Sequence, residues 1–284
     1  MHGDTIVGAP FEEEHPLRSM LFDDRHAALP TDEQSDADIS RRLFQIRMAD
    51  SAGRRTAASI LINRMYATRG YVSSGLPEQA EPSRITLVAS EDDATIGTIT
   101  IGFESSDGLL MVDDLFAREA NELRRGGRTL SEFTKLAMDG VVKSRRVLAA
   151  LFHVAYIYSH RIMGASNLLI EVNPRHTSYY RRMLGFEVIA SARLNRRVNA
   201  PAVLLCLNFD HAHAQIERFG GHPENARTER SLYPYFFSPE DEAGIVGRLR
   251  GLGGRERREG RAPLPLQPQY VKARSPHLSL AQAT

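Results

Sequence analysis

The segment TLSEFTKLAM, from Thr129 to Met138, places a carboxylate inside a run of alternating apolar residues. The alternation predicts a long strand with Glu132 near its middle. A carboxylate buried in a strand is costly to ionise without partners, so Glu132 is a candidate for proton transfer. Alternatively, Glu132 lies on the solvated face and pairs with Lys135 or Arg128. In a regular strand Lys135 points to the opposite face, so the two side chains share a site only if the strand is bulged.

A second group of polar residues follows a short apolar run in NLLIEVNPRHTSYYRRMLGFEV, residues 167–188. Asn173 is a favourable N-cap, and the proline after it suits the first helical position because its missing N–H is not needed there. Gly185 is expected to end this helix. The segment therefore predicts strand, short helix and strand. Such a helix needs an aromatic residue to pack on a sheet, so one of Tyr179 and Tyr180 is expected in the core.

The sequence does not predict a metal site, a disulfide or a serine nucleophile. No grouping of His, Cys, Asp or Glu has the spacing of metal ligands, so no metal site is predicted. His176 is expected to be structural or solvated, and His211 and His213 share a strand or loop without a third ligand. Cys206 is the only cysteine, which excludes a disulfide within the chain and a cysteine-rich metal site. No serine nucleophile motif occurs, which favours direct transfer over a covalent intermediate.

The composition indicates a large folded domain with charged ends. Of the 284 residues, 42% are hydrophobic and 25% are charged, and the formal net charge is +1. This length suffices for a full core, and the near-neutral charge gives no global field for a polyanion. Acidic residues dominate the first forty positions, whereas arginines and glycines dominate 248–261. We predict an acidic, partly disordered N-terminal arm over 1–40, a folded domain over 41–240 and a basic tail containing Pro and Gly over 241–284.

The expected location is the cytoplasm. The first residues lack the basic and apolar regions of a signal peptide, and no apolar stretch approaches the roughly 20 residues that span a bilayer. Nucleic acid is not an expected partner, because no recognition-helix pattern and no aromatic-rich basic strand occurs. A second basic group could serve a protein partner instead; it comprises Arg181, Arg182, Arg193, Arg196 and Arg197.

Hydrophobic periodicity predicts the order of elements between residues 43 and 207. The prediction runs as a strand at 43–47, a helix at 51–68, a hairpin over 85–101, a strand at 129–138, a long helix at 144–163, the strand, helix and strand of 167–188, and a strand at 202–207. Residues 109–123 combine a short apolar run with a helical pattern. A mixed sheet with helices on both faces is the expected packing.

This order, together with the ending SYYRRMLGFEV, resembles the GNAT-type N-acyltransferases. Their late helix carries a tyrosine followed by a Gly-Phe pair, which Tyr180 and Gly185-Phe186 match with a spacing one residue longer than usual. The resemblance implies the α/β (α+β) GNAT-like acyl-CoA N-acyltransferase fold, with a central mixed, mostly antiparallel sheet. GNAT enzymes normally open their central helix with a glycine-rich cradle for a pyrophosphate. Residues 139–146 read DGVVKSRR instead, and that cradle is absent.

One branch of the superfamily lacks the cradle because its donor is an acyl group on acyl carrier protein. The strand Glu132-Phe133-Thr134-Lys135 resembles the Glu-x-Ser/Thr-Arg/Lys strand of that branch, which includes the acyl-homoserine lactone (autoinducer) synthases and the long-chain N-acyl amino acid synthases. The segment YPYFFSP at 233–239 and the turn NPRH at 173–176 look closer to the N-acyl amino acid synthases. The resemblance covers roughly residues 40–240.

The resemblance also implies roles for individual residues. Glu132 would accept a proton from the attacking amine, and Tyr180 would protonate the leaving thiolate. The residues implied for binding the donor's phosphopantetheine or the carrier surface are Val141, Val142, Lys143, Ser144, Arg145, Arg146 and Asn173. Those implied for contacting the substrate are Arg47, Thr134 and Lys135, the last through a bulge frequent in this fold. The alternatives are a solvated basic helix start for 143–146 and a surface arginine for Arg47.

Three function classes follow. The first is an enzyme that transfers a long-chain acyl group from acyl carrier protein, or from acyl-CoA, to the amine of an amino acid. The second is an acetyl-CoA-dependent N-acetyltransferase, which the missing cradle disfavours. The third is a non-catalytic acyl-binding module, which the presence of Glu132 and Tyr180 disfavours. The first class implies no tightly bound cofactor, an acyl-phosphopantetheine co-substrate, carrier protein and amino acid as partners, and membrane contact only through a lipid product.

Overall fold

Eight strands form a single sheet within the part of the chain that the computed structural model describes, residues 5–10, 43–72, 75–105, 109–140 and 144–258. They are β1 (Val7–Pro10), β2 (Leu43–Met48), β3 (Arg84–Glu91), β4 (Ala94–Phe103), β5 (Leu130–Met138), β6 (Asn167–Val172), β7 (Glu187–Asn195) and β8 (Ala200–Asn208). Their spatial order is β1-β2-β3-β4-β5-β6-β8-β7.

The helices lie between these strands and after them. They are α1 (Ala52–Ala67), α2 (Asp113–Arg125), α3 (Arg145–Tyr156), α4 (Thr177–Leu184), α5 (Phe209–Phe219) and α6 (Pro239–Arg258). Helix α3 continues into a π-helical turn at Ile157–Ile162, and short 3-10 turns occupy Pro174–His176, Pro223–Arg227 and Tyr233–Tyr235. None of the described helices combines the length and apolar character needed to cross a membrane.

The sheet is mixed and mostly antiparallel, as predicted. Every neighbouring pair of strands is antiparallel except β5 and β6, which are parallel. Parallel neighbours need a crossover connection, and here α3 supplies it between β5 and β6. The predicted order of strands and helices from 43 to 208 is confirmed, and the pattern at 109–123 forms helix α2 without a strand.

Helices cover both faces of the sheet. Met138 of β5 belongs to the main core with α3, whereas its neighbour Ala137 packs with Leu61 and Met65 of α1. Because successive side chains of a strand point to opposite faces, α1 and α3 lie on opposite sides of the sheet. Helix α2 packs on the far end of the sheet, with Phe116 in a cluster that includes residues of β6, β7 and β8.

Two segments that the sequence assigned to the arm and the tail belong to the folded unit. Strand β1 lies within the predicted arm but pairs with β2, where Val7 opposes Ile46. Helix α6 extends into the predicted tail, yet Ile245 and Leu249 are buried in the main core. The rest of the predicted arm, residues 1–4 and 11–40, and the rest of the predicted tail, residues 259–284, lie outside the described residues. The sequence did not predict either segment as part of the folded domain, because its apolar periodicity is weak there. The residues that bury these segments are distant along the chain.

Helix α6 is anchored on α3 by a buried polar contact. The Nε2 atom of His153 lies 3.0 Å from the Glu242 carboxylate, and the Nδ1 atom accepts a hydrogen bond from the Phe237 N–H at 2.9 Å. Burial lowers the pKa of His153 despite the neighbouring acid. The neutral imidazole therefore donates to Glu242 through one nitrogen and accepts through the other. Histidines at 211 and 213 lie on helix α5, not on the strand or loop that was expected.

Candidate active site

A cleft opens in the middle of the sheet where β5 and β6 separate. The two strands pair only at Leu130 with Asn167, Ser131 with Leu168 and Glu132 with Leu169. Beyond these pairs the cleft holds an inner cavity of about 150 Å³ and an outer cavity of about 410 Å³. Both cavities share walls formed by Tyr66, Tyr71, Phe133, Thr134, Lys135, Glu171, Val172 and Asn173. The cleft is therefore where residues from β5, β6 and the end of α1 meet.

A bulge in β5 turns Lys135 toward this cleft. Opposite β4, the register passes from Thr100 with Thr134 to Thr98 with Ala137, so β5 contains one extra residue. Lys135 has a φ of +51°, in the left-handed region that a residue with a side chain rarely adopts. The sequence analysis required a bulge to turn Lys135 to this side of the sheet, and the bulge is present. Both Thr134 and Lys135 line the cleft. Burial lowers the pKa of Lys135, and the charge of Arg84 adds to that effect.

Glu132 does not reach the cleft surface. Its side chain is fully buried, and its Oε1 accepts hydrogen bonds from Arg84 at 2.7 Å and from the Met111 N–H at 2.8 Å. Its Oε2 accepts from the Val112 N–H at 3.0 Å. The surface pairing considered for Glu132, with Lys135 or Arg128, is therefore wrong. The carboxylate instead ties the start of α2 to the sheet, and its catalytic role stays a prediction.

Gly102 of β4 makes room for this ion pair. It lies opposite Glu132 in the sheet, and a Cβ atom at position 102 would be 2.8 Å from the Glu132 Cγ atom and 3.0 Å from a guanidinium nitrogen of Arg84. Since real Cβ atoms essentially never approach within 3.0 Å, any other residue at position 102 would force the ion pair to shift.

Glu171 is the carboxylate that lines the cleft, in both the inner and the outer cavity. Arg197 and Asn195 donate to its two oxygens, each at 2.5 Å. Burial raises the pKa of Glu171, Arg197 opposes the shift, and the charge of Glu132 adds to it. A carboxylate oxygen has two lone-pair sites, so these two donors leave acceptor capacity for a ligand. Sequence reasoning missed Glu171, although its interruption of the apolar run LLIEV was a usable signal.

Tyr180 lines the inner cavity, whereas Tyr179 does not. The Tyr180 ring packs edge-on against Phe152 and Phe186. Both tyrosines belong to the main buried core, and the Tyr179 hydroxyl has no hydrogen-bond partner among the described residues. Burial raises the pKa of Tyr180, so the phenol keeps its proton at neutral pH. Tyr66, which the sequence did not single out, adds a second phenol whose pKa burial raises to about 12.

Two local features that the sequence predicted, the cap at Asn173 and the helix end at Gly185, position the helix that carries Tyr180. The Asn173 side chain accepts a hydrogen bond from the Arg175 N–H at 3.2 Å and so starts the turn that leads into α4. Gly185 ends α4 with a φ of +80°, and the Tyr233 hydroxyl donates to the Leu184 carbonyl at 2.7 Å. Asn173 also lines both cavities, as expected of a residue in the donor site.

The start of α3 follows the inner cavity along the chain. Met138, the last residue of β5, lines that cavity, and α3 begins at Arg145. Ser144 caps the helix by accepting from the Val147 N–H at 3.3 Å, and Arg145 and Arg146 are partly exposed. The other three residues implied for donor binding, Val141, Val142 and Lys143, lie outside the described residues. Their proposed contact with the donor stays a prediction.

Arg47 is not brought to the cleft. It lies on β2, and strands β3 and β4 stand between it and β5. Its guanidinium donates to the Thr5 hydroxyl at 3.1 Å and also to Gln45. The placement does not support the substrate contact expected for Arg47. His176 lines the inner cavity, and no group of three His, Cys, Asp or Glu side chains within the described ranges could hold a metal ion.

Comparison with known proteins gives the class of this chain, which is an N-acyltransferase with the GNAT fold. The sequence model of the family described as N-acyl amino acid synthase FeeM matches residues 57–208, more than half of the chain. The chain therefore belongs to the FeeM family of N-acyl amino acid synthases, which confirms the family predicted from the short motifs.

Three solved structures are similar to this chain. FeeM, an N-acyl amino acid synthase from uncultured soil microbes, is 27% identical with a TM-score of 0.55, over 61% of this chain and 94% of that chain. An uncharacterized protein from Bacillus halodurans is 7% identical over 61% of this chain and 88% of its own, with a TM-score of 0.45. The AHL synthase LasI is 15% identical over 60% of this chain and 90% of its own, with a TM-score of 0.41. A search of curated protein sequences gave no significant match.

The Glu132 ion pair leads to a prediction about stability. In Glu132→Gln the amide NH₂ would face donors where the carboxylate now accepts, and Arg84 would lose its buried partner. We expect the free energy of unfolding to fall by about 3 kcal/mol, in the range for breaking one side of a buried pair. Chemical denaturation measures this loss.

Glu81→Gln is the matched control, because Glu81 pairs with the same Arg84 at 2.9 Å but is 46% exposed. We expect it to cost at most about 1 kcal/mol. Equal, small effects of the two substitutions would contradict a structural role for Glu132.

Proposed function

We propose that this enzyme transfers a long-chain acyl group from acyl carrier protein to the amine of an amino acid. The observation that carries the proposal is the cleft between β5 and β6, which presents a carboxylate at Glu171 and a phenol at Tyr180. The amine nitrogen attacks the thioester carbonyl, so a C–N bond forms and the C–S bond breaks. Glu171 takes the proton that the amine loses, and Tyr180 gives a proton to the leaving thiolate.

The edges of the cleft suit a phosphopantetheine arm. Beyond Glu132 and Leu169, β5 and β6 no longer pair with each other. Backbone N–H and C=O groups along these facing edges need partners, and the amides of a phosphopantetheine can supply them as an added strand does. This supports an extended acyl-phosphopantetheine donor, on either a carrier protein or CoA.

Positive charge on and before the helix that carries Tyr180, and at the start of α3, favours the carrier protein as the source of that arm. Arg181 and Arg182 of α4 are exposed on the helix that holds Tyr180, and Arg175 is exposed in the turn before it. Partly exposed Arg145 and Arg146 lie at the start of α3. Such a surface complements an acidic carrier protein, and the sequence has no glycine-rich cradle for the pyrophosphate of CoA.

A pocket beside the cleft has an apolar lining, which suits an acyl chain. It is about 20 Å³ in volume and shares Phe133 and Phe152 with the inner cavity. The two rings have centroids 6.3 Å apart. Each methylene buried beyond them would contribute about 0.8 kcal/mol to binding. Because 20 Å³ holds far less than a long chain, these rings must shift to admit one.

Acetyl transfer is therefore the second candidate function, since the small volume of this pocket favours a short acyl group. Purified protein supplied with a mixture of amino acids and with matched acetyl and dodecanoyl to hexadecanoyl donors, on carrier protein and on CoA, separates the candidates by mass spectrometry. We expect N-acyl amino acids with long chains, formed about tenfold or more faster from carrier protein. Comparable acetyl turnover would favour the second candidate, and no acylated amine from any donor would indicate a binding module.

The proposed base gives a prediction for Glu171→Gln. The carboxyl group must be ionised to accept a proton, and its pKa is raised, so wild-type kcat should rise with pH through a value above the ordinary carboxyl pKa of 4.5. We expect Glu171→Gln to lower kcat by roughly 10²–10⁴-fold and to abolish that rise. Steady-state kinetics across pH measure both effects.

Glu132→Gln is the comparison for this experiment. If Glu132→Gln abolishes the pH dependence and Glu171→Gln retains it, the base is Glu132, as the sequence predicted. Retention of the rise in both variants would exclude both carboxylates.

The proposed acid gives a prediction for the neighbouring tyrosines. Tyr180→Phe removes the phenol that would protonate the thiolate, and we expect kcat to fall by roughly 10²-fold or more. Tyr179→Phe removes a buried hydroxyl that has no partner among the described residues, so activity and stability should stay near those of the wild type. Kinetics with one acyl donor measure the difference, and an equal loss in both variants would contradict a specific role for Tyr180.

A further inference from the structure

A third cavity, of about 550 Å³, adjoins the cleft. Thr134, Lys135 and Met111 line both this cavity and the outer cavity of the cleft. Its other walls come from Arg55 of α1, from the segment 75–84 and from strands β3 and β4. A ligand in this cavity would therefore contact the same bulge of β5 that borders the proposed acyl-transfer site.

The charges on these walls are not balanced. Arg55, Arg84 and Lys135 line the cavity, and Glu81 is its acidic residue. Arg84 is already committed, since it pairs with Glu81 at 2.9 Å and with buried Glu132 at 2.7 Å. In the part of the chain that the structure describes, neither Arg55 nor Lys135 forms an ion pair. Two cations on the walls thus have no anionic partner among the described residues.

Backbone carbonyls hold both of these cations in place. Arg55 donates to the Gln79 carbonyl at 2.9 Å and to that of Pro77, and Lys135 donates to the Gly75 carbonyl. Carbonyl oxygens orient a cation without neutralising it. Burial lowers the pKa of Lys135 and the charge of Arg84 lowers it further, although the charge of Glu81 acts in the opposite direction. The left-handed backbone at Lys135 further indicates that this placement is maintained at a cost.

Two buried polar atoms at this cavity also lack partners. The Thr134 hydroxyl and the Arg55 Nε atom have no hydrogen-bond partner among the described residues. Buried polar groups are usually satisfied, so unpaired donors beside two unpaired cations indicate a missing acceptor with negative charge.

We infer that this cavity binds the α-carboxylate of the acceptor amino acid through Lys135, Arg55 and the Thr134 hydroxyl. The inference rests on the proposed function and deepens it, because it assigns the acceptor's two groups to different places. The carboxylate occupies the third cavity, and the amine extends past the bulge into the cleft toward Glu171. The substrate class is then the free amino acid, and amides, esters and simple amines are poor acceptors.

The test compares one amino acid with its carboxamide, which keeps the amine and side chain but removes the charge. We expect wild-type kcat/KM to favour the acid by about 10²-fold or more, as for sites whose buried polar groups are left unpaired by the wrong substrate. Lys135→Met should reduce that preference by about tenfold, because kcat/KM should fall more for the acid than for the amide. Lys135→Arg should restore part of it.

Arg55 and its neighbour supply a matched pair of variants. Arg55→Met should reduce the preference for the acid, whereas Arg54→Met should leave it unchanged, since Arg54 pairs with Asp50 and does not line the cavity. The ratio of the two substrates is measured on the same protein sample, so a general loss of folding or activity cancels. Equal use of acid and amide by the wild type would overturn the inference, as would an equal fall of both rates in Lys135→Met.

A binding experiment distinguishes failure of the carboxylate site from failure of the proposed acyl transfer. If the wild type acylates neither substrate, calorimetric binding of the free amino acid and of its amide, without donor, still decides the inference. Binding of the acid that exceeds binding of the amide and weakens in Lys135→Met supports the carboxylate site. Equal binding, or none, overturns it.

Discussion

The candidate active-site cleft exists because a parallel pair of strands is held together at only one end. Strands β5 and β6 share three residue pairs and then separate, while each keeps its antiparallel partner on the other side. The sheet therefore opens without losing its continuity. The bulge at Lys135 widens the opening from the β5 side, and the polar residues of β6 face it from the other. Every contact proposed for the reaction depends on this separation.

The carboxylates of Glu132 and Glu171 differ in how completely their surroundings pair them. Glu132 is sealed behind the cleft by a guanidinium and two backbone donors, so its charge is balanced locally. Glu171 is less completely paired and lines the cleft, and burial together with the charge of Glu132 raises its pKa. The same low dielectric keeps the nearby phenol of Tyr180 protonated. The same burial thus makes the Glu171 carboxylate more basic and keeps the Tyr180 phenol protonated. A base and an acid in one cleft are what the proposed acyl transfer to an amine requires.

The wall behind the cleft is fixed from the C-terminal side. His153 of α3 stacks on Phe236 and Phe237 and contacts Glu242 of α6, which also pairs with Arg161. These contacts join α6 to α3, and Phe152 and Tyr156 of α3 line the apolar pocket. Helix α6 thus supports a wall of this pocket, although none of its described residues lines the cleft. A buried neutral histidine can do this because both its nitrogens are satisfied.

Local pattern determined the elements of this protein, and non-local register determined the chemistry of its site. The sequence alone specified the strands from Leu43 onward, the cap at Asn173, the end of α4 at Gly185 and the tyrosine pair, since each depends on neighbours within a few residues. Which tyrosine lines the cleft, which carboxylate is sealed and which side Lys135 takes were decided by pairing across the sheet. Arg47 fell outside the site because two strands separate it from β5. A single extra residue in β5 changes the face of every side chain after it, and no local propensity encodes that choice.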